Sequence, residues 1–129
     1  MILSNAYDYI NILDKAGDAS FLRQTMITNN IANADTPNYK RQDLEFEDVL
    51  KRELLRTEHK TLDQAVHDAD PSRMNGVQYT DHPGFSYRYD KNNVDPDTEA
   101  VDLASEQIRY QTLMQSVTMD VARLKAVIK

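Results

Sequence analysis

A chain of 129 residues is the size of one domain, and 40% hydrophobic content admits a core, though a thin one with three Phe and no Trp. The formal charge of −6 offers no basic stripe for counterion release, which argues against nucleic acid or an anionic membrane surface as a partner. The absence of cysteine rules out disulfides, zinc-thiolate sites and thiol catalysis, and leaves the redox compartment open.

The opening stretch, MILSNAYDYINILDK, lacks the basic n-region and small-residue cleavage site of a Sec-type signal, and Asp8 interrupts its apolar run. No segment reaches the ~20 apolar residues of a membrane span. All four prolines (Pro37, Pro71, Pro83, Pro96) lie in the middle of the chain, which predicts three parts: an N-terminal helix over 1–34, an irregular region over 35–96 and a C-terminal helix over 97–129.

In the first part, Leu3, Ala6, Ile10, Leu13, Gly17, Ser20, Gln24, Ile27, Ile31 and Ala34 alternate spacings of three and four, the pattern of a narrow coiled-coil seam. Gly17 marks a soft point or a close backbone approach. The helix runs out in NNIANADTPNY, residues 29–39. Asn29, Asn30 and Asn33 occupy its last turns, where carbonyls lose their intrahelical partners. Pro37 pushes Thr36 out of helical angles, Asn38 tolerates the left-handed backbone of a turn, and Tyr39 follows. The amides are expected to satisfy turn and neighbouring backbone groups in a packed, partly dry junction between subunits, where the N-terminal helix locks to the middle region.

The middle is acidic, with 13 acidic against 9 basic residues over 35–96. LEFEDVLKRELL (44–55) predicts a short helix with Leu44, Val49 or Leu50, and Leu54 on one side. MNGVQYTDHPGFSYRYDKNN (74–93) predicts a β-hairpin, from the alternation of Val77 and Tyr79, then Phe85, Tyr87 and Tyr89, around a turn at 81–84. The stretch between them, 56–73, carries too little apolar content to predict order.

In the last part, Leu103, Gln107, Tyr110, Met114, Val117, Val121, Leu124 and Ile128 form a second seam. Asp95 or Asp97 caps its start, Pro96 suits the first turn, and Asp97, Glu99 and Asp102 face the positive end of the helix dipole. The expected fold is mainly α: long terminal helices packed as an antiparallel coiled-coil-like pair, with a middle region holding a short helix and a β-hairpin. Two helices bury only one stripe each, so Val101, Ala104, Ile108 and Leu113, with the flanking Ile2, Tyr9 and Phe21, are left partly exposed as apolar surface for a partner.

Catalytic chemistry finds no footing. His59, His67, Asp63, Asp68 and Asp70 lack the i, i+4 histidine spacing of a helical metal site and read as a solvated loop. There is no Gly-x-Ser-x-Gly elbow, and three glycines are too few for a phosphate-cradling loop. No enzyme activity, cofactor or metal is expected. The Tyr-rich segment reads as packing rather than as a nucleic-acid stacking platform, given the acidic charge.

TNNIANADTPNYK (28–40) resembles the sequence that ends the N-terminal helix of bacterial flagellar axial proteins, the rod, hook and hook-associated families. Asn29, Asn30, Ile31, Ala32, Asn33, Ala34, Thr36, Pro37 and Tyr39 match that pattern; Thr28 replaces its usual Ala and Asn38 its Gly. NNVDPDTEAVDLASEQIRYQTL (92–113) resembles the same family's lead-in to the C-terminal helix. Shortness and the uninterrupted ADTPNYK are most similar to proximal rod proteins of the FlgB type, with the FlgC type as the alternative within the family.

The resemblance implies a structural subunit of the rod, located in the basal body within the cell envelope and periplasm, and exported by the flagellar type III apparatus without a cleaved signal. It implies as partners copies of itself, other rod proteins, the rod-adaptor protein and the MS-ring protein. The assembly seam would comprise Leu3, Ile10, Leu13, Ile27, Ile31, Leu103, Tyr110, Met114, Val117, Val121, Leu124 and Ile128. A helical export chaperone or adaptor shares the amphipathic helices and acidic charge, but has no evident use for the Asn-rich turn.

Overall fold

The computed structural model describes residues 2–56, 61–81 and 89–128. Two long helices dominate it, α1 (Ile2–Ala32) and α4 (Pro96–Ile128). They run antiparallel: Gly17 stands opposite Met114, the rings of Phe21 and Tyr110 lie 6.2 Å apart, and Asn30 bonds to Glu99. Between them come β1 (Gln42–Glu45), α2 (Glu47–Leu54), α3 (Leu62–Asp68), a 3₁₀ turn at Pro71–Arg73, and β2 (Val77–Thr80).

The start of α4 follows from local chemistry. Asp95 accepts from the Asp97 N–H (3.1 Å) and the Thr98 hydroxyl (2.9 Å), and Pro96 fills the first helical position. Those bonds, the Thr98 hydroxyl above all, hold the Asp95 carboxyl below its usual range.

The middle differs from its sequence reading in three respects. Residues 44–46 are not helical: β1 ends at Glu45 and α2 begins at Glu47. Leu44 and Phe46 are both buried with Glu45 less so between them, a period of two that outweighs the helical pattern downstream. Strand β2 does form, and its partner is β1, antiparallel, in the register Gln42 with Thr80 through Glu45 with Val77. Phe85 and Tyr87, the expected second arm, lie outside the described residues, and Tyr89 sits in a turn.

The third difference is order within 56–73. Thr61 and Gln64 form a reciprocal capping box that starts α3. Ala65 and Val66 are then buried, and α3 is fastened to α1 by the Tyr9 hydroxyl donating to Asp63 (2.6 Å) and by a His67–Asp8 contact at 2.7 Å. Low apolar content is offset here by a cap and by polar ties to the neighbouring helix.

The core lies under this middle layer. Ala19, Met26, Leu44, Phe46 and Met74 form a buried cluster, with Ile12, Ala16, Leu50 and Ala69 packed against it. Met74 and Gly76 bring the chain back over Leu44 before β2 begins. A Cβ on Gly76 would stand 2.7 Å from Leu44 Cγ and 2.8 Å from both its δ carbons, with no direction of escape. A Cβ on Gly17 would meet only the terminal Cε of Met114, at 2.5 Å, and that methyl can swing aside.

The two glycines are therefore expected to respond oppositely to alanine. Gly76→Ala should destabilise the chain by roughly 1–3 kcal/mol through overpacking. Gly17→Ala should be neutral or stabilising by up to about 1 kcal/mol through helix propensity. Urea unfolding followed by circular dichroism measures both, and a large loss for Gly17→Ala would overturn the assigned freedom of Met114.

Candidate functional site

The polar residues of the chain converge where α1 ends. Asn30 is fully buried and uses its entire hydrogen-bonding capacity. Its Nδ2 donates to the Gln42 carbonyl (2.8 Å) and to Glu99 Oε2 (2.9 Å). Its Oδ1 accepts from the Gln42 N–H (3.0 Å) and the Tyr39 hydroxyl (3.1 Å). The side chain thus pairs with both backbone groups of Gln42 as a neighbouring strand would, and it joins α1, β1 and α4 at one point.

Asn92, also fully buried, closes the end of α1. Its Nδ2 lies 2.9 Å from each of the Asn33, Ala34 and Thr36 carbonyls, and its Oδ1 accepts from the Val94 N–H at 2.7 Å. Carbonyls that a helix end leaves without partners are taken up by the segment leading into the other helix. The neighbouring Asn93 accepts from the Arg41 N–H at 2.7 Å.

The turn itself is self-bonded. Asn33 Nδ2 donates to the Asn29 carbonyl (2.8 Å), the Thr36 hydroxyl donates to Asn33 Oδ1 (3.2 Å), and the Tyr39 N–H reaches the Thr36 carbonyl (3.3 Å). Asn38 adopts φ 62°, a left-handed conformation that asparagine tolerates, and its N–H donates to the Asp90 carbonyl at 2.9 Å. Pro37 is exposed, as is Asn29, which contributes its carbonyl.

Charge surrounds the joint. Arg41 reaches Glu99, Asp43 (3.0 Å), Asp81 (3.5 Å) and Asp102 (3.7 Å). Burial works against its charge, but Glu99 and Asp43 more than offset this and raise its pKa. Arg23 holds Glu47 (2.9 Å), Asp43 (3.3 Å) and Glu106 (3.7 Å) and donates to the Leu44 carbonyl (3.1 Å). The Tyr39 phenol is pushed up by burial and by Glu99.

Among the residues expected to form the seam, Ile27 is buried, and Ile10, Leu13, Ile31, Leu103, Tyr110, Met114, Val117, Val121 and Leu124 are half-buried. Ile128 is 68% exposed, and the side chain of Leu3 lies outside the described residues. Of the motif, the structure joins Asn30 and Tyr39 directly, Asn33 with Thr36, and Asn38 with the Asp90 backbone. Asn92, Glu99 and Arg41 are among the joint residues that the sequence did not mark as such. The signal for Asn92 was the paired asparagine just ahead of α4; nothing local marked Glu99, which reads as an ordinary first-turn acid.

In this joint the amides of Asn30 and Asn92 are committed to backbone or to an opposing side chain, with no open coordination sphere or reactive pair. Among the described residues, no group of three or more His, Asp or Glu stands together as a metal cage. The buried polar groups of this joint tie the ends of the two long helices and β1 together.

Comparison with known proteins gives the class its identity. The model of the flagella basal body rod protein family matches residues 19–40, the second half of α1 and the turn. The flagellar basal body rod protein FlgB of Bacillus subtilis is 36% identical over 119 residues, covering 92% of each chain. Those of Borrelia hermsii and Salmonella typhimurium are 33% and 32% identical, covering 85% and 69% of this chain and 82% and 70% of their own. The chain belongs to the FlgB family of flagellar basal body rod proteins.

Replacing Asn30 by Ala should destabilise the folded chain by roughly 2–4 kcal/mol, because each buried group left unpaired costs about 1–3 kcal/mol. Asn30→Asp keeps the shape but loses both donors and faces Glu99, so it should be at least as damaging at neutral pH and partly relieved by acid. Asn33→Ala, which breaks bonds in an exposed turn, should cost no more than about 1 kcal/mol. Denaturant midpoints of the three variants test this order.

The ion pairs predict an acid transition. Hydrogen bonding to Arg23 lowers the Glu47 pKa from 4.5 to about 2, with Arg109 contributing. A lowered carboxylate pKa stabilises the fold above its unfolded value and loses that contribution as pH falls through the folded one. Stability should therefore decline between pH 4.5 and about 2, by less in Glu47→Gln than in the parent. Because half of the Glu47 side chain meets solvent, the difference should stay below about 1 kcal/mol; equal acid curves for both chains would remove Glu47 from this role.

Proposed function

We propose that this flagellar rod protein is a proximal-rod subunit that assembles by helix packing into the shaft carrying torque from motor to hook. The observation that carries this reading is a second apolar stripe on α4, facing away from the joint: Val101 is 70% and Ile108 66% exposed, and Met119 follows at 49%. A helix paired on one side and apolar on another is suited to lateral packing in a larger bundle. The rigid joint supports the same reading, because a shaft transmits torque only if each subunit holds its internal angle.

Copies of itself, other rod proteins, the rod-adaptor protein and the MS-ring protein are the proposed neighbours, reached through the flagellar type III export apparatus. The location in the periplasmic part of the basal body and export without a cleaved signal belong to the same proposal. No helix among the described residues is long and apolar enough to cross a membrane.

Val101→Asp with Ile108→Asp tests the reading. Both side chains are exposed, so the double variant should keep the circular dichroism and unfolding midpoint of the parent. It should nonetheless be exported and fail to appear in isolated basal bodies, leaving cells non-motile. Normal motility in that strain would sink the proposal.

A further inference from the structure

Between α1, α2 and α4 lies a cleft of about 280 Å³, walled by Ala16, Ala19, Phe46, Leu50 and Leu113 and edged by Glu106. Glu106 is 5% exposed, and its Oε1 is buried with no hydrogen-bond partner among the described residues. Its other oxygen faces Arg23 and Arg109 only at 3.7 Å each, beyond hydrogen-bond reach. A buried carboxylate oxygen without a donor is costly, and in a native protein it points to a donor supplied from elsewhere. Along the cleft the two guanidinium groups, Arg23 and Arg109, are engaged by Glu47 and stand too far from Glu106 to donate to it, so a cationic donor from outside suits the Glu106 carboxylate.

The last turns of α4 have the complementary character. Residues 121–128 contain Arg123 and Lys125 and no acidic residue. Arg123 is already paired with Asp120 at 3.0 Å, whereas Lys125 is exposed, and Ile128, one turn further along the same face, is 68% exposed. We propose that the cleft receives the end of α4 from a second copy, with Ile128 against the apolar wall and Lys125 donating to the Glu106 carboxylate. Cleft and helix end are different surfaces of one chain. Such a head-to-tail contact does not close on itself unless its rotation forms a ring, and it otherwise propagates as an open helical array. The inference rests on the reading of this chain as an assembling rod subunit and names the contact that would build the array.

The chain has no cysteine, so engineered thiols report without background. Leu50→Cys and Ile128→Cys chains would be co-expressed in cells lacking the parent, and their basal bodies isolated and oxidised. A disulfide closes only where Cα atoms come within about 7 Å. The expected result is a dimer band several-fold stronger than with either variant alone, reduced several-fold when Lys125→Glu is added to the Ile128→Cys chain. Basal bodies that contain both variants but yield no mixed dimer would overturn this contact and leave the rod reading standing. A mixed dimer indifferent to Lys125→Glu would overturn the Lys125–Glu106 pairing. Absence of both chains from basal bodies, with the parent chain absent too when expressed in their place, would overturn the rod reading and this contact with it.

Discussion

Much of the architecture hangs on one primary amide. Asn30 presents two donors and two acceptor positions in a plane, and all four are used by groups from three separate segments. No other side chain of that length supplies the same set. Aspartate lacks the donors, serine has a single polar atom, and glutamine places the amide a methylene further out. The spacing of α1, β1 and α4 at this point is therefore set by hydrogen-bond geometry rather than by the looser demands of apolar contact. Once Gln42 is held in register, β1 can pair with β2, and Arg41 beside it is delivered to Glu99.

The charges around the joint act in the same sense. Glu99 is a buried acid whose desolvation is tolerable only beside Arg41, which the segment entering β1 brings to it. Such clusters add little net stability compared with apolar packing, but they penalise any arrangement in which a partner is missing. The joint is thus a device for a single geometry. A chain with a small core benefits from this, since a few buried apolar side chains alone permit sliding between long helices.

A division of labour follows. One side of α1 is covered by β1, α2 and α3 over a compact core, while α4 shows apolar residues on the side turned away from the joint. Polar and apolar contacts are thus concentrated on one side of the helix pair, and the outer side of α4 is left open.

Legibility in the sequence followed the range of the interactions. Both long helices were readable because their signals are local: three-four spacing, the Asp95 cap, the proline at position 96. The bend after α1 was readable from Pro37 and Asn38 for the same reason. Helix α3 had a local signal in Thr61 and Gln64, masked by a segment with little apolar content. The pairing of β1 with β2 was not readable, since each strand is four residues long and its partner lies across two helices. Nor were the partners of Asn30, the closure of α1 by Asn92, or the burial of Glu99. Helices, caps and turns were thus written in neighbouring residues. Which amide meets which backbone was decided only in three dimensions, because those contacts join segments that only the finished packing brings together.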